Sequence, residues 1–155
     1  MKKRISILIM AVIVIFLTVP TAYSFFGVKF EKLTPENRMI KIPVNKIDDG
    51  KAHYFMAKAD DGIMVSFFTL KSSDGIIRAA IDACDVCFRS GKGYIQQGDF
   101  MVCTNCGQKF PSSRINVIKG GCNPAPLERS VEGEFLVIKM DDINKNSWYC
   151  KFKKL

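Results

Sequence analysis

A chain of 155 residues is long enough for one compact domain with a hydrophobic core and too short for two ordinary ones. Its formal net charge of +8 falls to +5 once Lys2, Lys3 and Arg4 are set aside with the segment they open. The remaining lysines and arginines are scattered, and no basic stripe with interleaved aromatics occurs, which argues against nucleic acid as a partner.

Lys2, Lys3 and Arg4 precede an apolar run over residues 5–19, closed by Pro20 and Thr21-Ala22-Tyr23-Ser24. Basic, apolar, then small is the order of a secretory signal. The run is shorter than the roughly 20 residues a stable membrane-spanning helix needs, which favours cleavage after Ser24. Phe25, Phe26 and Val28 prolong the hydrophobicity, so an N-terminal apolar helix retained as a membrane anchor is the alternative. Residues 1–24 are therefore read as signal peptide or anchor. Both readings place the rest of the chain outside the cytoplasm, in the periplasm or on the outer face of the cytoplasmic membrane.

Residues 25–37, with Thr34-Pro35-Glu36-Asn37, lack periodicity and read as a linker, leaving 38–155 as the domain. Short apolar or alternating runs at 39–44, 52–57, 63–70, 76–81 and 135–140 predict strands and an all-β fold, a small antiparallel sandwich or barrel. Asp49-Gly50, Asp61-Gly62 and Asp74-Gly75 separate the first four, and their turn chemistry predicts antiparallel pairing of consecutive strands. Alternation partly fails over 65–70, as in a strand buried on both faces.

The strongest chemical signal follows. Cys84-Asp85-Val86-Cys87 and Cys103-Thr104-Asn105-Cys106 are two C-x-x-C pairs separated by 15 residues. Each spacing turns two thiols to one side, and two such pincers facing each other make a four-sulfur site for zinc or a small iron–sulfur cluster. Gly91, Gly93 and Gly107 follow the pincers, where backbone curls around sulfur and amides turn toward it. A pair of disulfides is the rival reading in an exported domain, but each C-x-x-C bridge closes only a tiny loop. A thiol–disulfide oxidoreductase calls for one C-x-x-C in a βαβ context, which is missing.

Cys122 lies in Gly120-Gly121-Cys122-Asn123-Pro124-Ala125-Pro126-Leu127, a rigid turn sequence. It is read as a neighbouring thiol, an additional or replacement ligand, or half of a disulfide with Cys150. Cys150, in an aromatic-rich tail, looks least like a ligand. His53 is the lone histidine and reads as a structural or exposed strand residue. Asp82 and Asp85 read as solvated turn residues, and Lys151, Lys153 and Lys154 as a solvated tail. Phe88, Phe100 and Phe110 read as core or as a screen against water. No Ser-His-Asp arrangement can be assembled, so no enzyme is expected.

Taken together, the strands, the two cysteine loops, Gly98 through Phe110 and Pro124-Ala125-Pro126-Leu127 resemble a Rieske-type domain over residues 40–139. Rieske loops each supply one Cys and one His to a [2Fe-2S] cluster under a proline-rich third loop; here both histidine positions are cysteines. Four thiolates imply a potential nearer the roughly −400 mV of plant-type ferredoxins. More closely, Asp82 through Cys87, Gly91-Lys92-Gly93-Tyr94, Val102 through Gly107 and Gly120 through Leu127 resemble a family of bacterial iron–sulfur-containing membrane proteins. Some members accompany Ftr-type ferrous iron transport systems. The resemblance implies a ferredoxin-like electron carrier, with redox partner proteins and a membrane iron permease beside it. Gly107, Gly121 and Pro124 would shape its loops. Members commonly carry a multispan membrane part, and this chain has one N-terminal apolar segment. The rival expectation is a structural zinc site in an interaction domain without redox activity.

Overall fold

The computed structural model describes residues 30–154. The expected signal or N-terminal apolar helix lies outside them. Among the described residues no helix is long and apolar enough to cross a membrane.

The described chain is mostly β, with ten strands in three sheets. The central sheet has the order β1 (Glu31–Lys32), β3 (His53–Lys58), β4 (Met64–Lys71), β5 (Ile77–Ile81). β3–β4 and β4–β5 are antiparallel hairpins across Asp61-Gly62 and Asp74-Gly75, as their turn residues demand. β1 pairs in parallel with β3, and Leu33 packs on the core, so part of the 25–37 stretch adds to the sheet. A second sheet joins β2 (Met39–Pro43), β10 (Phe135–Lys139) and β9 (Ser130–Glu132). A third is a meander of β6 (Tyr94–Gln97), β7 (Phe100–Cys103) and β8 (Lys109–Pro111).

The pairing expected across Asp49-Gly50 does not form. β2 pairs antiparallel with β10 instead. Pro43 ends the strand, a 3-10 turn at Val44–Lys46 redirects the chain, and the alternation of Ile40 and Ile42 suits a sheet with one buried face.

Two apolar layers flank the central sheet. On one side Val65, Phe67, Ala79 and Ile81 pack with Ile40, Ile42, Leu136 and Ile138 of the second sheet. On the other, Phe68, Leu70 and Ala80 pack with Tyr94, Met101, Phe110 and the thiols of Cys84 and Cys103. β4 supplies both layers, which is why six successive residues, Val65 to Leu70, are buried. A short helix α1 (Met140–Lys145) follows β10 and leads to a 3-10 turn at Ser147–Cys150. That turn lays the C-terminal residues against the cysteine end of the molecule.

Candidate metal centre

The first pincer begins where β5 ends. Asp82 donates its amide to Ser66 O at 2.9 Å, so the strand pairing continues one residue further before Cys84 turns away. The Cys87 amide donates to Cys84 Sγ at 3.2 Å, and the Phe88 amide to Cys84 O at 3.1 Å, which curls the four residues around the first sulfur. The second pincer is the tip of the β7–β8 hairpin. Cys103 N donates to Gln108 O at 2.9 Å and Gly107 N to Cys103 O at 2.8 Å. Gly107 has φ +76°, the left-handed conformation that closes this turn. The two pincers touch through Thr104, whose amide and hydroxyl both donate to Gly93 O, and through Asn105, whose Nδ2 donates to Cys87 Sγ at 3.4 Å.

The thiols converge. The Sγ atoms of Cys87, Cys103 and Cys106 lie within 4.8 Å of one another, and so do those of Cys84, Cys87 and Cys122. All six cysteines are free. The bridge weighed between Cys122 and Cys150 does not form: Cys150 is buried in the core with its Sγ 3.4 Å from the Ser66 amide.

Burial grades the site from inside outward. Cys84 and Cys103 are 1% and 2% exposed, Cys87 and Cys122 are half-buried, and Cys106 is exposed. Burial pushes the Cys103 thiol up to about 11. Burial, then the Cys106 thiol, also raises Cys122. At Cys87 the Asn105 hydrogen bond pulls downward, but burial and the Cys84 and Cys106 thiols carry the net shift upward. Cys106 moves the other way, because the Gln108 amide stabilises its thiolate. The thiol at the solvent edge is thus shifted toward the thiolate, the form in which cysteine binds a metal.

Two residues around the centre, Asp82 and Lys153, differ from their sequence reading. Asp82 is fully buried, not a solvated turn residue. It accepts from the Tyr94 amide at 2.7 Å and pairs with Lys153 Nζ at 2.5 Å. Lys153, placed by sequence in a solvated tail, has a side chain only 5% exposed and also donates to Asp82 O. Asp85 is exposed and accepts the Tyr149 hydroxyl. Phe88 meets Trp148, Tyr149 and Phe152, so an aromatic strap from the C-terminus covers the first loop. Phe110 is buried edge-on to Tyr94, whereas Phe100 is 41% exposed at the far end of β7. His53 pairs with Asp49 at 2.8 Å, outside both thiol groups.

The donor set fits an iron–sulfur cluster or zinc: soft thiolates in two facing pincers, with amides directed at sulfur and one wall apolar. Behind the thiols, a space of about 10 Å³ bounded by Cys84, Cys87, Cys103, Tyr94, Phe88 and Lys153 is no larger than one water.

Among solved structures, the quaternary ammonium Rieske monooxygenase CntA in complex with inhibitor MMV12 is similar to this chain. Identity is 15% and the TM-score 0.44, over 66% of this chain and 32% of that one, so the chain spans about a third of the enzyme's length. No curated protein matches the sequence. The family model described as "Membrane iron-sulfur containing protein FtrD-like" matches residues 47–149, a stretch that contains both cysteine loops and the third loop. Covering well over half of the 155 residues, this match shows that the chain belongs to the FtrD-like family of membrane iron–sulfur proteins.

Proposed function

We propose that the protein is an exported, ferredoxin-like electron carrier in which Cys84, Cys87, Cys103 and Cys106 hold a [2Fe-2S] cluster. The observation that carries this reading is the convergence of two C-x-x-C loops in a member of an iron–sulfur family. Cys84 and Cys103 grip from the buried side, and Cys87 and Cys106 from the solvent side. When bound, the cluster supplies a one-electron couple, which all-thiolate ligation sets toward roughly −400 mV. The amides of Cys87 and Gln108 and the Asn105 side chain donate toward sulfur and stabilise negative charge there. Tyr94, Phe88 and Phe110 keep water from the inner wall. Exposed Cys106 gives a redox partner close approach.

The basic, apolar and small segments of residues 1–24 support a location in the periplasm or on the outer face of the cytoplasmic membrane. The neighbouring system in this reading is a membrane iron permease, which the resemblance to proteins that accompany Ftr-type ferrous iron transport systems supports. No residue is assigned a catalytic role.

A second reading, a structural zinc site without redox function, is favoured by the sulfurs of Cys87, Cys103 and Cys106 lying within 4.8 Å of one another. Zn–S bonds of about 2.3 Å in a tetrahedron put sulfurs roughly 3.8 Å apart. Anaerobic purification followed by a visible spectrum and iron, zinc and sulfide assays decides between them. The carrier reading expects iron, sulfide and a coloured protein, and a colourless protein with one zinc and no sulfide overturns it. Cys103→Ser is expected to abolish the chromophore; unchanged metal content in that variant would show the ligand set to be wrong.

A further inference from the structure

We propose that Cys122 is itself a ligand of the centre, a fifth thiol that completes a metal position with Cys84 and Cys87. This rests on reading the first C-x-x-C pair, Cys84 and Cys87, as ligands, and extends the site to the third loop.

The thiols do not form one four-sulfur group. They form two three-sulfur groups, Cys84–Cys87–Cys122 and Cys87–Cys103–Cys106, each with its Sγ atoms within 4.8 Å and with Cys87 common to both. That compactness is what a single thiophilic ion needs, since metal–sulfur bonds of about 2.3 Å require sulfurs roughly 3.8 Å apart. Two such groups joined at one sulfur are the protein's half of a site with two metal positions. Iron in a cluster, zinc and monovalent copper are the metals that soft thiolates select.

The third loop holds Cys122 in place by bonds to the same elements that carry the other thiols. The Tyr94 hydroxyl donates to Cys122 O at 2.6 Å, and Tyr94 is the β6 partner of Cys103. Ile81 N donates to Ala125 O at 2.8 Å and Ala125 N to Ala83 O at 2.9 Å, tying the loop to the stretch that enters Cys84. Inside the loop, the amide and Nδ2 of Asn123 both donate to Gly120 O, closing the turn beneath the thiol. Cys150, the alternative partner, is committed to Ser66 in the other core layer.

Cysteine alkylation followed by mass spectrometry tests this. Anaerobically purified, metal-loaded protein is compared with the same protein after a chelator and reductant have removed the metal. Cys122 should label at least about tenfold more slowly in the loaded form, together with Cys87 and Cys106. In Cys122→Ser, release of metal to a chelator should be about ten- to a hundredfold faster, the scale for losing a group that supports a metal site, and the metal–sulfur absorption should shift. Equal labelling of Cys122 in both forms overturns the proposal. So does a Cys122→Ser protein with unchanged spectrum and release rate, which would mean Cys122 is only shielded. If Cys87 and Cys106 are protected in either of those cases, the four-cysteine reading survives alone. Protection of Cys87 and Cys122 without Cys106 upholds this proposal and overturns the four-cysteine set, and protection of none removes both. Should Cys122→Ser fail to fold, labelling of the unsubstituted protein decides.

Discussion

The first cysteine loop is held from outside itself, by Lys153 on Asp82, by the Tyr149 hydroxyl on Asp85 and by a ring of C-terminal aromatics around Phe88. The second is held by its own hairpin, through hydrogen bonds between Cys103 and its neighbours Gly107 and Gln108, and ends on exposed Cys106. Equal spacing in sequence therefore yields unequal ends of one site. The strapped loop fixes the sulfurs and excludes water, while the bare hairpin brings a thiol to the surface. The strap comes from residues far along the chain, Lys153 lying 71 positions beyond Asp82.

The largest effect should come from cutting that strap. In Lys153→Met the stem volume is kept, but Asp82 stays fully buried without its lysine. Removing one partner of a buried ion pair costs about 3–5 kcal/mol. Urea unfolding should show this as a lower midpoint with an unchanged slope, and a loss below about 1 kcal/mol would mean the strap is ornamental. The paired glycines sharpen the same contrast. Gly93 and Gly107 share φ +76°, so alanine at either costs about 1–2 kcal/mol in conformation. A Cβ at Gly93 would also overlap the Asp82 carboxylate, whereas one at Gly107 meets nothing within 4 Å. Overpacking of this kind adds about 1–3 kcal/mol, so Gly93→Ala should be clearly the more destabilised of the two. Equal losses would show that the first loop yields as easily as the second.

What could be read in advance followed the range of the interaction. The C-x-x-C pairs and the runs that became β2 to β5 and β10 are local patterns, visible in adjacent residues. The third sheet was not legible, because its one apolar run, β7, is only four residues long, and Gln96, Gln97, Lys109 and Pro111 break the pattern in β6 and β8 on either side of it. They form through mutual pairing, and Tyr94, Met101 and Phe110 join the layer against Phe68 and Leu70. Asp82 and Lys153 are 71 residues apart, and nothing near either announces the other. The aromatic spacing of Trp148, Tyr149 and Phe152 was the available signal that this tail packs instead of dissolving. Cys122 carried the right chemistry in sequence, but only folding sets it beside Cys84 and Cys87.

The smallest effect concerns the approach to the third loop. Arg78 is buried, and its Nη1 donates to Ile115 O at 2.9 Å, its Nε to Ser72 Oγ at 2.9 Å and its Nη2 to Asp74 at 2.5 Å. The Ser72 hydroxyl, followed by Arg78, holds the Asp74 carboxyl down to about 2 from its ordinary 3.8. A carboxyl depressed on folding contributes stability that is fully present above its unfolded value and is lost as pH falls through the folded one. The contribution of Asp74 should therefore be intact above about pH 4 and gone below about pH 2. Asp74 is exposed, so solvent screening keeps the effect small. In Asp74→Asn, acid unfolding should begin from a lower plateau and fall less steeply between those values, the two proteins converging at the acid end. A constant offset persisting below pH 2 would instead assign the role of Asp74 to the turn geometry it shares with Ser72 and Ile76.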